Sequence, residues 1–167
     1  MTVNLVDDGD LRIHVTLSSE RNKRLRRSDL PIAYQQTLLV SSAVMRIASP
    51  VWRTMLDPQG HFMESQRSLI HGEIEFPEDD PDALLCVLRI AHLQFRKVPD
   101  TLDYEELVDL AIICDKYDTV AIVRPVSSSL TRDSVYLRFN IVMRHAGGKG
   151  SRSKYIKCYA TPCFNLR

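Results

Sequence analysis

Apolar and polar residues alternate with a period of two near the N-terminus, between residues 11 and 17. The apolar positions are Leu11, Ile13, Val15 and Leu17, and the polar positions between them are Arg12, His14 and Thr16. This alternation predicts a half-buried β-strand. The segment QQTLLV, at residues 35–40, predicts a second short strand. The segment SLIHGEIEFP predicts a third strand from Ile70 to Phe76, ended by Pro77.

The segment SSAVMRIASPVWRTML, at residues 41–56, predicts two short helices that meet at a corner. We expect the hydroxyl of Ser41 or Ser42 to cap the first helix. Ser49 would cap the second helix, and Pro50 suits its first position, where the missing N–H costs nothing. The expected apolar faces are Val44, Ile47 and Ala48 on the first helix, and Val51, Trp52, Met55 and Leu56 on the second.

Two longer amphipathic helices are predicted further along the chain. Asp80 is a suitable cap and Pro81 a suitable first residue for one of them, while Asp103 and Glu106 have the spacing of a capping box for the other. The expected buried positions are Leu84, Leu85, Leu88 and Ala91, then Leu107, Leu110, Ala111 and Cys114. A last short helix, TVAIVRP, ends at Pro125. This order of strands and helices predicts an α+β domain.

The charge of the chain changes sharply near its C-terminal end. Residues 1–125 contain 14 Lys and Arg against 20 Asp and Glu, whereas residues 126–167 contain 8 against 1. This shift indicates that residues 126–167 are a separate basic tail, either disordered or poorly packed, or a misread chain end. The N-terminus lacks the pattern of a signal peptide, and no apolar run reaches the ~18 residues that cross a bilayer. We therefore expect no membrane association and an intracellular location, cytoplasmic or nuclear.

The sequence predicts neither a metal site nor another cofactor. Cys86 and Cys114 lie in apolar helical patterns, where a reduced thiol behaves as a small hydrophobe. Cys158 and Cys163 form an isolated pair, whereas a structural zinc site needs about four ligands. The acidic segment PEDDPD lacks the ligand spacing and central glycine of a calcium loop, and the helix dipole accounts for its carboxylates.

Catalysis is not expected from these motifs either. The serines at 41, 42 and 49 are not part of a G-x-S-x-G turn, and the five histidines are scattered along the chain. The sequence therefore favours a protein that is not an enzyme.

Five ordered segments resemble the BTB/POZ domain, in the form that is abundant in filamentous fungi. They are GDLRIHV, LLVSSAVMRIASPVWRTML, HFMES, IEFPEDDPDALLCVLRIAHL and LAIICDKYDTVAIVRP. The resemblance covers residues 8–125 and implies the BTB/POZ fold, a small sheet with a cluster of short helices. It also implies a protein-interaction module that forms dimers with itself or with another BTB protein. Many members also dock a cullin scaffold as adaptors of ubiquitin ligases.

Two features of that family can be placed on this sequence by position. Cullin-binding members carry an apolar-x-Glu motif, which Phe62, Met63 and Glu64 match; Phe62 would enter an apolar pocket of the partner. Transcriptional members carry an acid on the first strand that faces a basic residue and forms a charged groove. Asp10 matches the acid, but Ser42 stands at the basic position, which weakens a corepressor-groove interpretation. Cullin-binding members usually carry a further helical pair, and residues 126–167 show no such pattern.

The alternative hypothesis is a nucleic-acid-associated transcriptional regulator. It rests on the basic segment RNKRLRR, at residues 21–27, and on the basic tail, which together offer positive charge to phosphates. Neither segment contains a recognisable nucleic-acid-binding motif. The sequence therefore favours a protein partner over nucleic acid.

Overall fold

The computed structural model describes residues 2–17, 34–60 and 71–126, which form an α+β arrangement. The strands are β1 Thr2–Asn4, β2 Leu11–Leu17, β3 Tyr34–Val40 and β4 Glu73–Phe76. The helices are α1 Ser42–Ala48, α2 Pro50–Met55, α3 Pro81–Ala91, α4 Tyr104–Tyr117 and α5 Val120–Val123. Short 3₁₀ turns follow α3 at Phe95–Lys97 and α5 at Arg124–Val126. The α+β class predicted from the sequence is confirmed.

The four strands form one mixed sheet in the order β1-β3-β2-β4. The central strands β2 and β3 are antiparallel, with Ile13 opposite Leu38. At the edges, β1 lies parallel to β3 and β4 lies parallel to β2. The sequence did not predict β1, because a strand of three residues is too short to show an alternating pattern.

The period-two alternation of β2 places the side chains of residues 11–16 as predicted, and the side chain of Leu17 lies outside the described part. Leu11, Ile13 and Val15 are buried, and Arg12 on the opposite face is exposed. The neighbouring strands follow the same register, and their buried residues are Leu38 and Val40 on β3 and Ile74 and Phe76 on β4. One face of the sheet therefore packs against the helices, and the other carries polar and charged side chains.

The third predicted strand is shorter in the structure, because His71 and Gly72 precede β4 and are not part of it. Gly72 has a φ of +64°, in the left-handed region that a strand does not use. Its carbonyl still accepts a hydrogen bond from the backbone N–H of Arg12 at 2.7 Å. The left-handed turn at Gly72 thus brings the chain into register beside β2. Ile70, predicted to begin the strand, lies outside the described residues.

The core lies between one face of the sheet and the helices, and α3 and α4 contribute most of its helical residues. The buried residues of α3 include Leu84, Leu85 and Leu88, while Ala91 is only partly buried. On α4 the whole predicted stripe is buried, namely Leu107, Leu110, Ala111 and Cys114. Both described cysteines are free and buried, as predicted, and burial raises the pKa of the thiols of Cys86 to about 11 and of Cys114 to about 12.

Three of the predicted helix caps are confirmed. Asp80 Oδ1 accepts hydrogen bonds from the backbone N–H groups of Asp82 at 3.1 Å and Ala83 at 2.9 Å. Asp103 and Glu106 form a reciprocal capping box with two bonds of 2.8 Å. The Ser49 cap of α2 is described below with the buried contacts that it shares.

Tyr117, the last residue of α4, joins three parts of the core. Its ring centroid lies 5.1 Å from that of Trp52 on α2 and 5.6 Å from that of Phe76 on β4. Its hydroxyl donates a hydrogen bond to the buried carboxylate of Asp79, which also pairs with Lys116 Nζ at 2.6 Å. The end of α4 is therefore fixed by apolar and polar contacts together.

The Ser49 hydroxyl links the corner of the helix pair to the same residue. It accepts a hydrogen bond from the Trp52 backbone N–H at 3.0 Å, which confirms the predicted cap of α2. It donates to the backbone carbonyl of Tyr117 at 2.5 Å. Both hydrogen-bonding functions of this buried hydroxyl are therefore used within the fold.

The predicted apolar faces of α1 and α2 are wrong in part. Met45 and Trp52 are fully buried, whereas the side chain of Ile47 is 80% exposed and that of Val51 is 38% exposed. Each residue of a helix is rotated by about 100° from the one before it, so Met45 and Ile47, two positions apart, point to nearly opposite sides of α1. Once Met45 faces the core, Ile47 must face solvent. Because α1 has only seven residues, its apolar pattern fits more than one orientation.

Candidate functional site: the start of the helix pair and its outer face

The start of α1 is held by residues from two distant parts of the chain. We call Asp10, Ser41, Ser42 and His92 the junction. Asp10 directly precedes β2, and His92 directly follows α3. The fold brings both side chains to the first turn of α1, where backbone N–H groups lack partners within the helix.

Asp10 caps α1 from outside the helix. Its Oδ1 accepts a hydrogen bond from the Ser42 backbone N–H at 2.7 Å, and its Oδ2 accepts one from the Ser42 hydroxyl at 2.5 Å. Ser41 occupies the cap position, but its side chain makes no capping hydrogen bond, so the predicted serine cap is wrong. A carboxylate is the stronger acceptor, and the positive end of the helix dipole favours it there.

These contacts change the acidity of the Asp10 carboxyl group. Partial burial raises its pKa, but the hydrogen bonds from Ser42 favour the charged form and outweigh burial, so the net pKa is lowered from 3.8. Asp10 is therefore an anion at neutral pH, and both of its oxygens accept hydrogen bonds from Ser42.

His92 supplies the second contact of the junction. Its Nε2 lies 3.1 Å from the Ser41 backbone nitrogen, which donates the hydrogen bond. Its Nδ1 lies 2.8 Å from the Leu88 carbonyl oxygen. Because the carbonyl can only accept, Nδ1 carries the proton and Nε2 offers its lone pair to Ser41. No sequence pattern had singled out this histidine.

The helix pair also carries an exposed apolar surface next to the junction. We call Ala43, Ile47, Pro50 and Val51 the outer face, since all four are exposed. Ala43 and Ile47 are one turn apart on the same side of α1, and Val51 follows directly after the corner. Two more large apolar side chains, Leu93 at 74% exposed and Phe95 at 49%, lie in the turn after α3. The sequence pattern had assigned Ile47 and Val51 to the core.

Of the site residues predicted from the sequence, the structure places Asp10 alone. Asp10 contacts Ser42, and the contact is a hydrogen-bonded cap and not an ion pair. The motif Phe62, Met63 and Glu64 lies outside the described residues. Three other predicted features also lie outside the described residues. They are the basic segment at 21–27, the cysteine pair Cys158 and Cys163, and the basic tail from residue 127 onward.

Outside the junction, His14 also has structural partners. On the open face of the sheet, His14 lies 3.2 Å from Thr37 Oγ1 and 3.6 Å from a carboxylate oxygen of Glu73. Within residues 2–17, 34–60 and 71–126, no group of three or more His, Cys, Asp or Glu side chains could hold a metal ion. No helix in this part of the chain is long and apolar enough to cross a membrane.

A cavity of about 190 Å³ lies between α3 and α4. Its lining includes Asp80 and Glu106, whose carboxylates cap the two helices, and the buried Cys86. Raising the pKa of that thiol to about 11 leaves it protonated and unreactive at neutral pH. The two carboxylates at this cavity are thus used to stabilise helix ends.

Sequence comparison finds no known protein family and no curated protein that matches this chain.

Proposed function

We propose that this chain is a BTB/POZ-type protein-interaction module that dimerises through the outer face of its helix pair. The observation that carries the proposal is the exposure of Ile47, a large apolar side chain with 80% of its surface in solvent, on the same helix pair as the exposed Val51. Burying an aliphatic side chain of this size contributes about 1.5–3 kcal/mol. In a two-fold symmetric dimer each contact occurs twice, so a small apolar surface contributes twice to the free energy of association.

The order of elements supports the same proposal. A strand pair leads into the two short helices, and β4, α3 and α4 follow in the order that the five BTB-like segments imply. By the resemblance, Asp10 and Ser42 correspond to the two positions of the charged groove of transcriptional members, and in this fold they contact each other. Because Ser42 is neutral, the proposed module does not use that groove as transcriptional members do.

The oligomeric state of the full chain tests dimerisation. We expect a dimer by light scattering or sedimentation at about 10–50 μM, a range in which micromolar affinities are visible. Ile47→Glu would place a charge in the interface and convert the protein to a monomer with an unchanged circular dichroism spectrum. Ala121→Glu, on the exposed side of α5, is the matched control and should remain dimeric. A wild-type monomer across this range would reject the proposal.

The proposal extends to docking of a cullin scaffold through Phe62 and Glu64. Phe62→Ala and Glu64→Ala should each abolish capture of a cullin N-terminal domain, because each removes one end of the apolar-x-Glu motif. Met63→Ala is the control, since the middle position of the motif is not constrained. Equal capture by all three variants, or none by the wild type, would reject the adaptor role and leave dimerisation untouched.

A further inference from the structure

Two consecutive backbone N–H groups at the start of α1 donate to two titratable side chains. The Ser41 N–H donates to His92, 51 residues away, and the Ser42 N–H donates to Asp10, 32 residues away. A histidine nitrogen accepts a hydrogen bond only when it carries no proton, and a carboxylate accepts on both oxygens only when ionised. The attachment of α1 therefore depends on the protonation state of both side chains.

Protonation of His92 is incompatible with its contact to Ser41. The Leu88 carbonyl already holds the proton on Nδ1, so a second proton must enter at Nε2. The Nε2–H group would then face the Ser41 N–H at 3.1 Å, and two donors cannot form a hydrogen bond. The imidazolium would also lie at the positive end of the α1 dipole. Both effects push the end of α3 and the start of α1 apart.

The charged residues close in sequence to the members of the junction are Asp7 and Asp8 in the turn after β1, Asp10 before β2, Arg46 on α1 and Arg89 on α3. The Asp10 carboxylate accepts from Ser42, and the Arg89 guanidinium donates to the Lys97 carbonyl at 2.6 Å. The pKa of His92 is governed by burial, which lowers it, and by the Leu88 carbonyl, which raises it less. The charges of these elements therefore do not hold the imidazolium in place.

We propose that the junction is an acid-sensitive attachment, in which protonation of His92 releases the start of α1 from the end of α3. The folded pKa of His92 lies below its ordinary value of 6.5, so the stabilisation is complete above pH 6.5 and is lost as the pH falls through the folded value. The pKa of Asp10 is lowered from 3.8, so the stabilisation by its two hydrogen bonds is present above pH 3.8 and is lost as the pH falls through the folded value.

The release also affects the outer face, a consequence that rests on the proposed function. Ile47 and Val51 lie on the helix pair that the junction holds in place. Dimerisation should therefore weaken over the pH range in which His92 takes up its proton. The release itself is a property of a single chain and does not depend on the existence of a dimer.

Nuclear magnetic resonance of the full chain tests the proposal directly. The imidazole nitrogens of His92 should show the Nδ1–H tautomer at pH 7.5 and a pKa below 6.5. Hydrogen exchange of the Ser41 amide, corrected for its intrinsic pH dependence, should accelerate between pH 7.5 and 5. The opening equilibrium should rise up to about tenfold for each unit by which the pKa of His92 lies below 6.5.

Two variants and a control complete the experiment. His92→Gln keeps a neutral acceptor and should abolish the pH dependence of Ser41 exchange, whereas His92→Phe removes the acceptor and should accelerate exchange at every pH. His14→Gln, on the open face of the sheet, should behave as the wild type. An Nε2–H tautomer, a pKa of 6.5 or more, or the same pH dependence in His92→Gln would overturn the proposal. Dimer mass, measured separately, distinguishes this failure from that of the proposed function.

Discussion

Asp10 accepts two hydrogen bonds from a single residue, Ser42, although 32 residues separate the two in the chain. A carboxylate from the beginning of β2 thereby caps a helix that follows β3. The arrangement fixes the start of the helix pair to the sheet, and the cap is therefore a tertiary contact as well as a local one.

Removal of this cap should destabilise the protein. We expect Asp10→Ala to lower the free energy of unfolding by about 1–2 kcal/mol, since loss of a capping side chain typically costs this much. Ser42→Ala removes the hydroxyl bond alone and should cost about 0.5–1 kcal/mol. Urea denaturation measures both values. Asp8→Ala, a nearby exposed carboxylate, is the control, and an equal loss in that variant would show that general charge effects dominate.

Replacement of Leu93 by glycine should stabilise the fold. Leu93 follows the C-cap of α3 with a φ of +59°, a conformation that costs a residue with a side chain roughly 1–2 kcal/mol and glycine almost nothing. After the greater entropy of glycine in the unfolded chain is subtracted, a gain of about 0.5–1 kcal/mol is expected for Leu93→Gly. Thermal unfolding measures it.

Leu93→Ala is the matched control for that gain. It removes the exposed apolar side chain but keeps the strained backbone, and it should leave the stability nearly unchanged. If both variants are stabilised equally, the gain comes from loss of the exposed side chain and not from relief of strain.

Tyr117→Phe should be costly because it removes the hydroxyl that donates to a buried carboxylate. Asp79 would keep its ion pair with Lys116 and lose the hydrogen bond from the Tyr117 hydroxyl, which should lower the free energy of unfolding by about 1–3 kcal/mol. Lys116→Gln should cost less, about 0–1 kcal/mol, because the lysine is about half exposed. A double-mutant cycle that combines Tyr117→Phe with Asp79→Asn, measured by urea denaturation, should give a coupling energy above about 0.5 kcal/mol. Additive effects would contradict the contact.

The two described cysteines should be inert toward thiol reagents in the folded protein. Their pKa values, raised to about 11 and about 12, leave almost no thiolate at pH 8, and both side chains are buried. In a variant with Cys158→Ser and Cys163→Ser, a disulfide reagent should react with two thiols in denaturant and with none in buffer. Rapid labelling in buffer would show that α3 and α4 open frequently.

Local patterns in the sequence predicted most of the described elements because their causes are local. The alternation in β2, the Asp80 cap and the capping box of Asp103 and Glu106 each depend on residues a few positions apart. Ser49 and Pro50 marked the corner for the same reason. β1 gave no such signal, because its place in the sheet comes entirely from pairing with residues 37–39 of β3.

The candidate site was less predictable because it is built from contacts distant in sequence. Asp10 was placed by resemblance, but its role as the cap of α1 depends on Ser42, which lies 32 positions further along the chain. His92 carries no sequence signal, since a histidine after a helix is common and its acceptor role depends on where Ser41 lies. Ile47 was assigned to the wrong side of α1 because two turns of helix contain too few apolar residues to define one face.

The parallel edges of the sheet constrain the order in which the chain can fold. Thr2 lies opposite Thr37, and Arg12 lies opposite Glu73, so each edge strand joins only after a long segment of chain has been closed into a loop. Closing a longer loop costs more entropy, and parallel pairing needs a crossover. We expect β2 and β3 to form first. β4 should dock late, after α1 and α2 have formed and shortened the loop that must close between β3 and β4. Mutations in β4 should then accelerate unfolding and leave the refolding rate almost unchanged.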